Sequence, residues 1–215
     1  MRTFIYLFLV TSLVIVNWSV YAQTSKFNLG VIGGPSYSFD YTKKNRDYAT
    51  YRLLYTVGLT AQAKLNDRVS LTTNLLLEQR GERLEGGIFG GTIAPGSSRI
   101  GEAVSTENYI TIPIMCTYSF GKHNRFSVSA GPYISYFFLS KYELKSEGKT
   151  TSSNKATDLY KPLSGGLSVN MGTTFPIANQ LNAHIFIRNN LGLISYREDV
   201  NTIQLLLGVT YHFKQ

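Results

Sequence analysis

This chain of 215 residues has one cysteine, Cys116, so no disulfide can form within it. Only 16% of its residues are charged, and the net charge of +8 is not gathered into a basic helix or motif. A nucleic-acid partner is therefore not expected. The three histidines, His123, His184 and His212, are far apart and have no metal-ligand spacing, so neither metal nor cofactor is expected. No serine stands in a nucleophile elbow. The glycines of "IFGGTIAPGSS" have no Walker or dinucleotide spacing. Nothing in these patterns points to an enzyme. After residue 22 no stretch sustains a capped helical period, and none approaches the ~18 apolar residues of a membrane helix.

What is present begins at the N-terminus. Arg2 is followed by "FIYLFLVTSLVIVNWSVYA", with Val20 and Ala22 at its end. A basic start, an apolar middle and small residues before a cut describe a secretory signal peptide, 1–22, cleaved after Ala22. The alternative is a retained anchor, since the apolar stretch is long enough to span a bilayer. The remainder, 23–215, has a length that suits one domain. The chain carries 15 Tyr, 12 Phe and 19 Gly, a mixture that favours strands and turns.

Eight alternating segments are legible, at about 26–38, 51–65, 68–80, 107–119, 125–140, 163–175, 180–194 and 201–213. Short, turn-like connections at 65–68, 120–125 and 176–180 alternate with longer polar ones at 39–50, 81–106 and 141–162; the last, 195–200, is brief. All short turns therefore fall at one end, together with both termini. This asymmetry predicts an all-β fold, an eight-stranded antiparallel up-and-down transmembrane barrel. Its termini would be periplasmic and its long loops outside. "GGPSYS" (33–38) and "AGPYIS" (130–135) open the first and fifth segments and hint at a duplicated half.

The closing stretch "NTIQLLLGVTYHFKQ" decides which face meets what. Ile203, Leu205, Leu207, Val209, Tyr211 and Phe213 alternate with polar or small residues. In the other segments the polar partners are mostly Ser, Thr, Asn and Gly, as in Ser168, Asn170, Gly172 and Thr174. A water-exposed sheet face would be rich in Lys and Glu. A narrow lumen filled by small hydrogen-bonding side chains fits better, so the apolar residues are expected to face lipid. Leu76 and Leu206 fall on the polar face against this rule. Phe27, Tyr55, Tyr109, Tyr118, Phe126, Phe175, Tyr196, Tyr211 and Phe213, near strand ends, are expected to form interfacial girdles. Pro113 and Pro132 lie inside segments and are expected to mark bulges.

The few charges on the polar faces are Lys64, Glu78, Arg80 and Arg188. Glu78 and Arg80 share one face and could pair with Arg188 across the lumen. With Lys64 and His184 they are expected to form a structural polar network, because an unpaired charge inside a narrow barrel is costly.

The segments "KFNLGVIGGPSYSF", "LNDRVSLTTNLLLEQRG", "ENYITIPIMCTYSFG", "FSVSAGPYISYFF" and "IQLLLGVTYHF" together resemble the PorT-like outer-membrane β-barrel proteins of Gram-negative bacteria. The Tyr-Ile-x-Ile-Pro and Ala-Gly-Pro-Tyr elements are the most distinctive. The resemblance implies an eight-stranded outer-membrane barrel, with in-strand prolines as a recurrent feature and no shared reaction. It implies partners in the outer-membrane lipid and in the barrel assembly machinery, which would read Tyr211 and Phe213 as an insertion signal; here Lys214 and Gln215 follow. Three functions are open. They are a non-conducting barrel acting through its loops in adhesion, envelope structure or type IX secretion assembly; a minor channel; and a lipid-modifying enzyme.

Overall fold

The computed structural model describes residues 27–40, 49–50, 52–81, 83–88, 100–121, 125–146, 149–156, 162–194 and 200–213. The expected signal peptide, His123, Tyr196, Lys214 and Gln215 lie outside the described residues.

Period-2 alternation gives extended chain because each pleat then sends apolar side chains to one face and polar ones to the other. The strands are β1 (Phe27–Asp40), β2 (Ala49–Thr50), β3 (Arg52–Lys64), β4 (Val69–Arg80), β5 (Arg83–Ile88) and β6 (Ile100–Phe120). They continue as β7 (Arg125–Ser146), β8 (Lys149–Ala156), β9 (Leu163–Ala178), β10 (Leu181–Ile194) and β11 (Val200–His212). β2 leads into β3, β5 continues β4 against β6 in the same register as far as Glu85↔Glu102, and β8 precedes β9 against β7. The wall therefore has eight strands, paired β1–β3–β4–β6–β7–β9–β10–β11 and back to β1, all antiparallel. Closure leaves no open edge in the wall, which a strand structure in hydrocarbon requires.

The three short turns lie at one end. In the first, the Asn66 side-chain oxygen accepts hydrogen bonds from the amides of Arg68 (2.9 Å) and Val69 (2.7 Å), which fixes the reversal. The second starts at Gly121, whose φ of 98° suits glycine best. The third is Asn179–Gln180. Here too the two ends of the barrel meet, the Phe213 amide donating to the Phe27 carbonyl at 3.2 Å.

The faces follow the alternation. On β11, Leu205 and Leu207 are 45% and 54% exposed, whereas Gln204 and Leu206 between and beside them are fully buried. The same holds around the wall, with Leu53, Leu59, Leu75, Ile114, Ile134, Met171 and Ile187 turned outward. A continuous apolar belt of this extent belongs in lipid. The stretch from Ile203 to Phe213 is about 33 Å long and, tilted by about 45°, covers roughly 23 Å, close to the apolar band of such barrels.

Three expectations need correction. The connections 81–106 and 141–162 are not simply loops: β6 begins at Ile100, β7 runs on to Ser146, and β5 and β8 pair beside them. Their polar sequences carry no lipid-facing alternation because this part of the sheet has left the apolar belt. The prolines are not bulges either. Register runs unshifted through Pro113 between β4 and β6, and through Pro132 between β7 and β9. Each proline instead interrupts one ladder, between Thr73↔Ile114 and Leu76↔Thr111 for Pro113, and between Pro113↔Tyr133 and Cys116↔Ala130 for Pro132. The shift between β6 and β7 falls at Asn108/Tyr109 instead. Third, Tyr109 is not a girdle residue. It is in phase with Thr111 and lies against Arg80 inside the lumen.

"GGPSYS" and "AGPYIS" do share local geometry. Added Cβ atoms at Gly34 and Gly131 would each meet a neighbouring-strand carbonyl, of Leu205 and Ile114, at 2.0 Å. Only glycine permits that approach beside a proline that leaves the ladder unbonded.

Candidate functional site

The lumen narrows to a plug built from the alternate residues of β4, β6, β10 and β11. Glu78 on β4 is its hub. Its carboxylate accepts hydrogen bonds from Arg80 Nε (3.2 Å) and Nη2 (3.1 Å), Thr111 (2.8 Å), Thr202 (3.2 Å) and the Gln204 amide (2.7 Å). Five donors satisfy a carboxylate's acceptor capacity, which makes burial of the charge tolerable. Arg80 also donates to Ser135 on β7 at 3.1 Å and has its guanidinium 4.5 Å from the Tyr109 ring and 5.9 Å from the Tyr133 ring. Tyr109 in turn donates to Glu107 at 2.8 Å.

Arg188 on β10 is as deeply buried as Glu78. Its Nε donates to Asn170 at 2.9 Å, and its Nη2 reaches Asn74 at 2.7 Å. β10 and β4 are four strands apart around the ring of eight, so this bond spans the lumen. Arg188 thus does not close an ion pair with Glu78; two asparagines hold it. Apolar groups fill the lumen beside these layers. Ile32, Leu76 and Leu206 pack together against Phe186, and Met115 is fully buried. Leu76 and Leu206, anomalous on a polar face, are therefore the apolar filling of the plug.

Toward the short turns the lumen changes character. His212 bonds Asn28 (2.6 Å), Asn28 bonds Gln62 (3.0 Å), and Gln62 bonds Ser70 (2.7 Å). Thr72 bonds Thr117 (2.9 Å), which bonds Ser129 (2.9 Å), while His184 joins Thr174 (2.8 Å) and Thr210 (2.7 Å). These neutral pairs stitch every strand interface except β7–β9. Of the residues singled out in sequence, Glu78 and Arg80 meet directly, while Arg188 and His184 occupy neighbouring layers. Lys64 lies at the short-turn mouth, and Tyr211 and Phe213 stack edge to face outside at 5.0 Å. Sequence reasoning placed Asn170 on the lumen face but did not read it, Asn74, Thr111, Thr202 or Gln204 as partners of these charges. Their signal was phase: all are lumen-facing polar residues near the charged ones in register.

Beyond the belt, Arg83 pairs with Glu102 at 2.8 Å, and Lys141 pairs with Glu143. The hydrogen bond from Lys141 holds the Glu143 carboxyl below the ordinary glutamate range. Among the described residues, no three His, Cys, Asp or Glu side chains gather to hold a metal ion.

A closed antiparallel barrel with an apolar outside and a polar, filled inside is an outer-membrane β-barrel. The chain belongs to the outer membrane protein beta-barrel domain family, whose model matches residues 21–197. No curated relative matches it. Among solved structures it is similar to the outer membrane protein OprG of Pseudomonas aeruginosa, with TM-score 0.53 and 11% identity over 89% of this chain and 98% of that one. It also matches Ail, the attachment invasion locus protein of Yersinia pestis, with TM-score 0.45 and 12% identity over 88% and 97% of the two chains. Neisserial surface protein A matches with TM-score 0.45 and 15% identity over 87% and 97%. Likeness at this identity speaks to fold alone, and only the first of the three is close enough to carry even that.

Proposed function

We propose that the protein is a non-conducting, non-enzymatic outer-membrane barrel that acts through the hairpins at its long-hairpin end. The observation that carries this reading is the continuation of the sheet past the apolar belt. β6 and β7 stay paired from Phe120↔Phe126 out to Gly101↔Ser146, with β5 and β8 on either flank. Paired strands that leave the bilayer bury no lipid-facing surface; they present an ordered, polar sheet to a binding partner. The Glu78–Arg80 and Arg188 layers, with the buried Leu76, Met115 and Leu206, support the absence of a conducting pore, since small barrels of this kind are filled by side chains.

In this reading the signal peptide directs export and the assembly machinery reads Tyr211 and Phe213. The short turns face the periplasm and the hairpins face outward, in adhesion, envelope structure or assembly of a secretion apparatus. The PorT-like segments support the last of these. Protease added to intact cells tests the orientation: cutting is expected within 81–106 or 141–162, and cutting at Asn66 or Asn179 instead would invert the barrel. Planar-bilayer recording tests the plug. Steady unitary conductance would replace this reading with a channel.

A further inference from the structure

We infer that the short-turn half of the lumen is a blind site for a small free oxyanion of the phosphate class, with the Arg188 guanidinium as its floor. Arg188 is 1% exposed, and its Nη1 has no hydrogen-bond partner among the described residues. Its two bonded nitrogens meet neutral amide oxygens of Asn170 and Asn74, and among the described residues it makes no salt bridge. Glu78 is engaged by Arg80 and three neutral donors, and Glu107 by Tyr109 beyond it. A buried guanidinium with an unused N–H and neutral hydrogen-bond partners is a strong donor to an incoming anion.

The route to it is built. Arg188 lines an inner cavity of about 40 Å³, together with Thr60, Ser127 and Thr174. Below it, a cleft of about 80 Å³ opens at the short-turn mouth, lined by Lys64, Arg68 and Arg125, with Asp67 as the one carboxylate. The two spaces share Gln62, Ser119, Thr174 and His184 as common wall. Three cations at the mouth and a fourth at the floor, between low-dielectric walls, focus field lines that draw an anion inward. Hydroxyl and guanidinium donors suit an oxyanion, whose several acceptor oxygens can take bonds from more than one wall. The space admits an ion of a few heavy atoms but neither a sugar nor a peptide. Above Arg188, Leu76, Leu206 and the Glu78–Arg80 pair close the way, so the anion enters and leaves by one mouth.

The test uses the full barrel folded in micelles of a detergent without phosphate, with the arginine side-chain resonances observed by nitrogen-15 NMR. The Arg188 signal is identified by its loss in Arg188→Lys; should that variant not fold, the backbone amides of Gln62 and Thr174 report instead. Inorganic phosphate is expected to shift the Arg188 signal saturably, and at lower concentration than chloride does. In Arg125→Gln, which alters the mouth and leaves the plug intact, the midpoint is expected to rise several-fold, because one of the charges that draw the anion inward is lost. A linear shift, equal effects of chloride and phosphate, or an unchanged midpoint in Arg125→Gln would overturn the site. So would a response to phosphatidylglycerol doped into the micelles without one to inorganic phosphate, because a headgroup at the rim would then be the ligand.

Discussion

Toward the short turns, the lumen of this barrel is stitched by neutral side chains that bond across adjacent strands, as Thr72, Thr117 and Ser129 do. Toward the long hairpins it is crossed by ions whose bonds join distant strands, as Arg188 joins β10 to Asn74 on β4 and Gln204 joins β11 to Glu78. The first kind of contact reinforces a pairing that the backbone ladder already makes. The second braces the barrel across its width, between strands that share no ladder. The first half holds the cavities that the mouth cations and Arg188 line, and the second holds the buried ions of the plug.

Removing the hub is expected to have the largest effect. Glu78→Gln keeps the shape but leaves Arg80 buried without its paired carboxylate, at a cost of about 3–5 kcal/mol. Urea unfolding in lipid vesicles measures it, and a loss no greater than that of a seam residue would erase the distinction between the halves. Gly208→Leu comes next. An added Cβ would lie 2.8 Å from the Val31 carbonyl, so even beside the roomier half the backbone must shift, costing about 1–3 kcal/mol. Thr117→Val, which removes two neutral bonds of the seam, is expected to cost only about 1 kcal/mol by the same measurement.

The smallest effect lies beyond the plug altogether. Because Glu143 has a depressed pKa in the folded protein, its ion pair contributes above the unfolded glutamate pKa and is lost as pH falls through the folded value. The carbon-13 titration midpoint of its carboxyl is expected to rise in Lys141→Met. An unchanged midpoint would show that Lys141 does not hold it.

The wall was legible in sequence because alternation has one period and two solvents, and β11 shows it from Ile203 to Phe213. Phase also carried more than position did. Tyr109 stands near a strand end like a girdle aromatic, yet it shares the phase of Thr111 and so points inward. What was not legible has physical causes. Strands that leave the lipid lose the apolar half of their pattern, which hid β5, β8 and the outer parts of β6 and β7. A proline shows that a ladder bond is missing but not whether the register slips. Of the plug, the charges were visible and their partners were not, because bonds across a closed barrel depend on its shear, which no single strand records.

The central claim is that apolar residues of one strand serve two different surroundings, lipid outside and a packed plug inside. Leu206 and Leu207 are neighbours on β11, the one fully buried and the other 54% exposed. Leu206→Ala opens a cavity in the plug and is expected to cost about 2–5 kcal/mol. Leu207→Ala leaves a space that a lipid chain fills and is expected to cost much less. The unfolding free energies of the two alanine variants in the same vesicles test this directly: Leu206→Ala is expected to be clearly the less stable, and a more damaging Leu207→Ala would contradict the assignment of the faces.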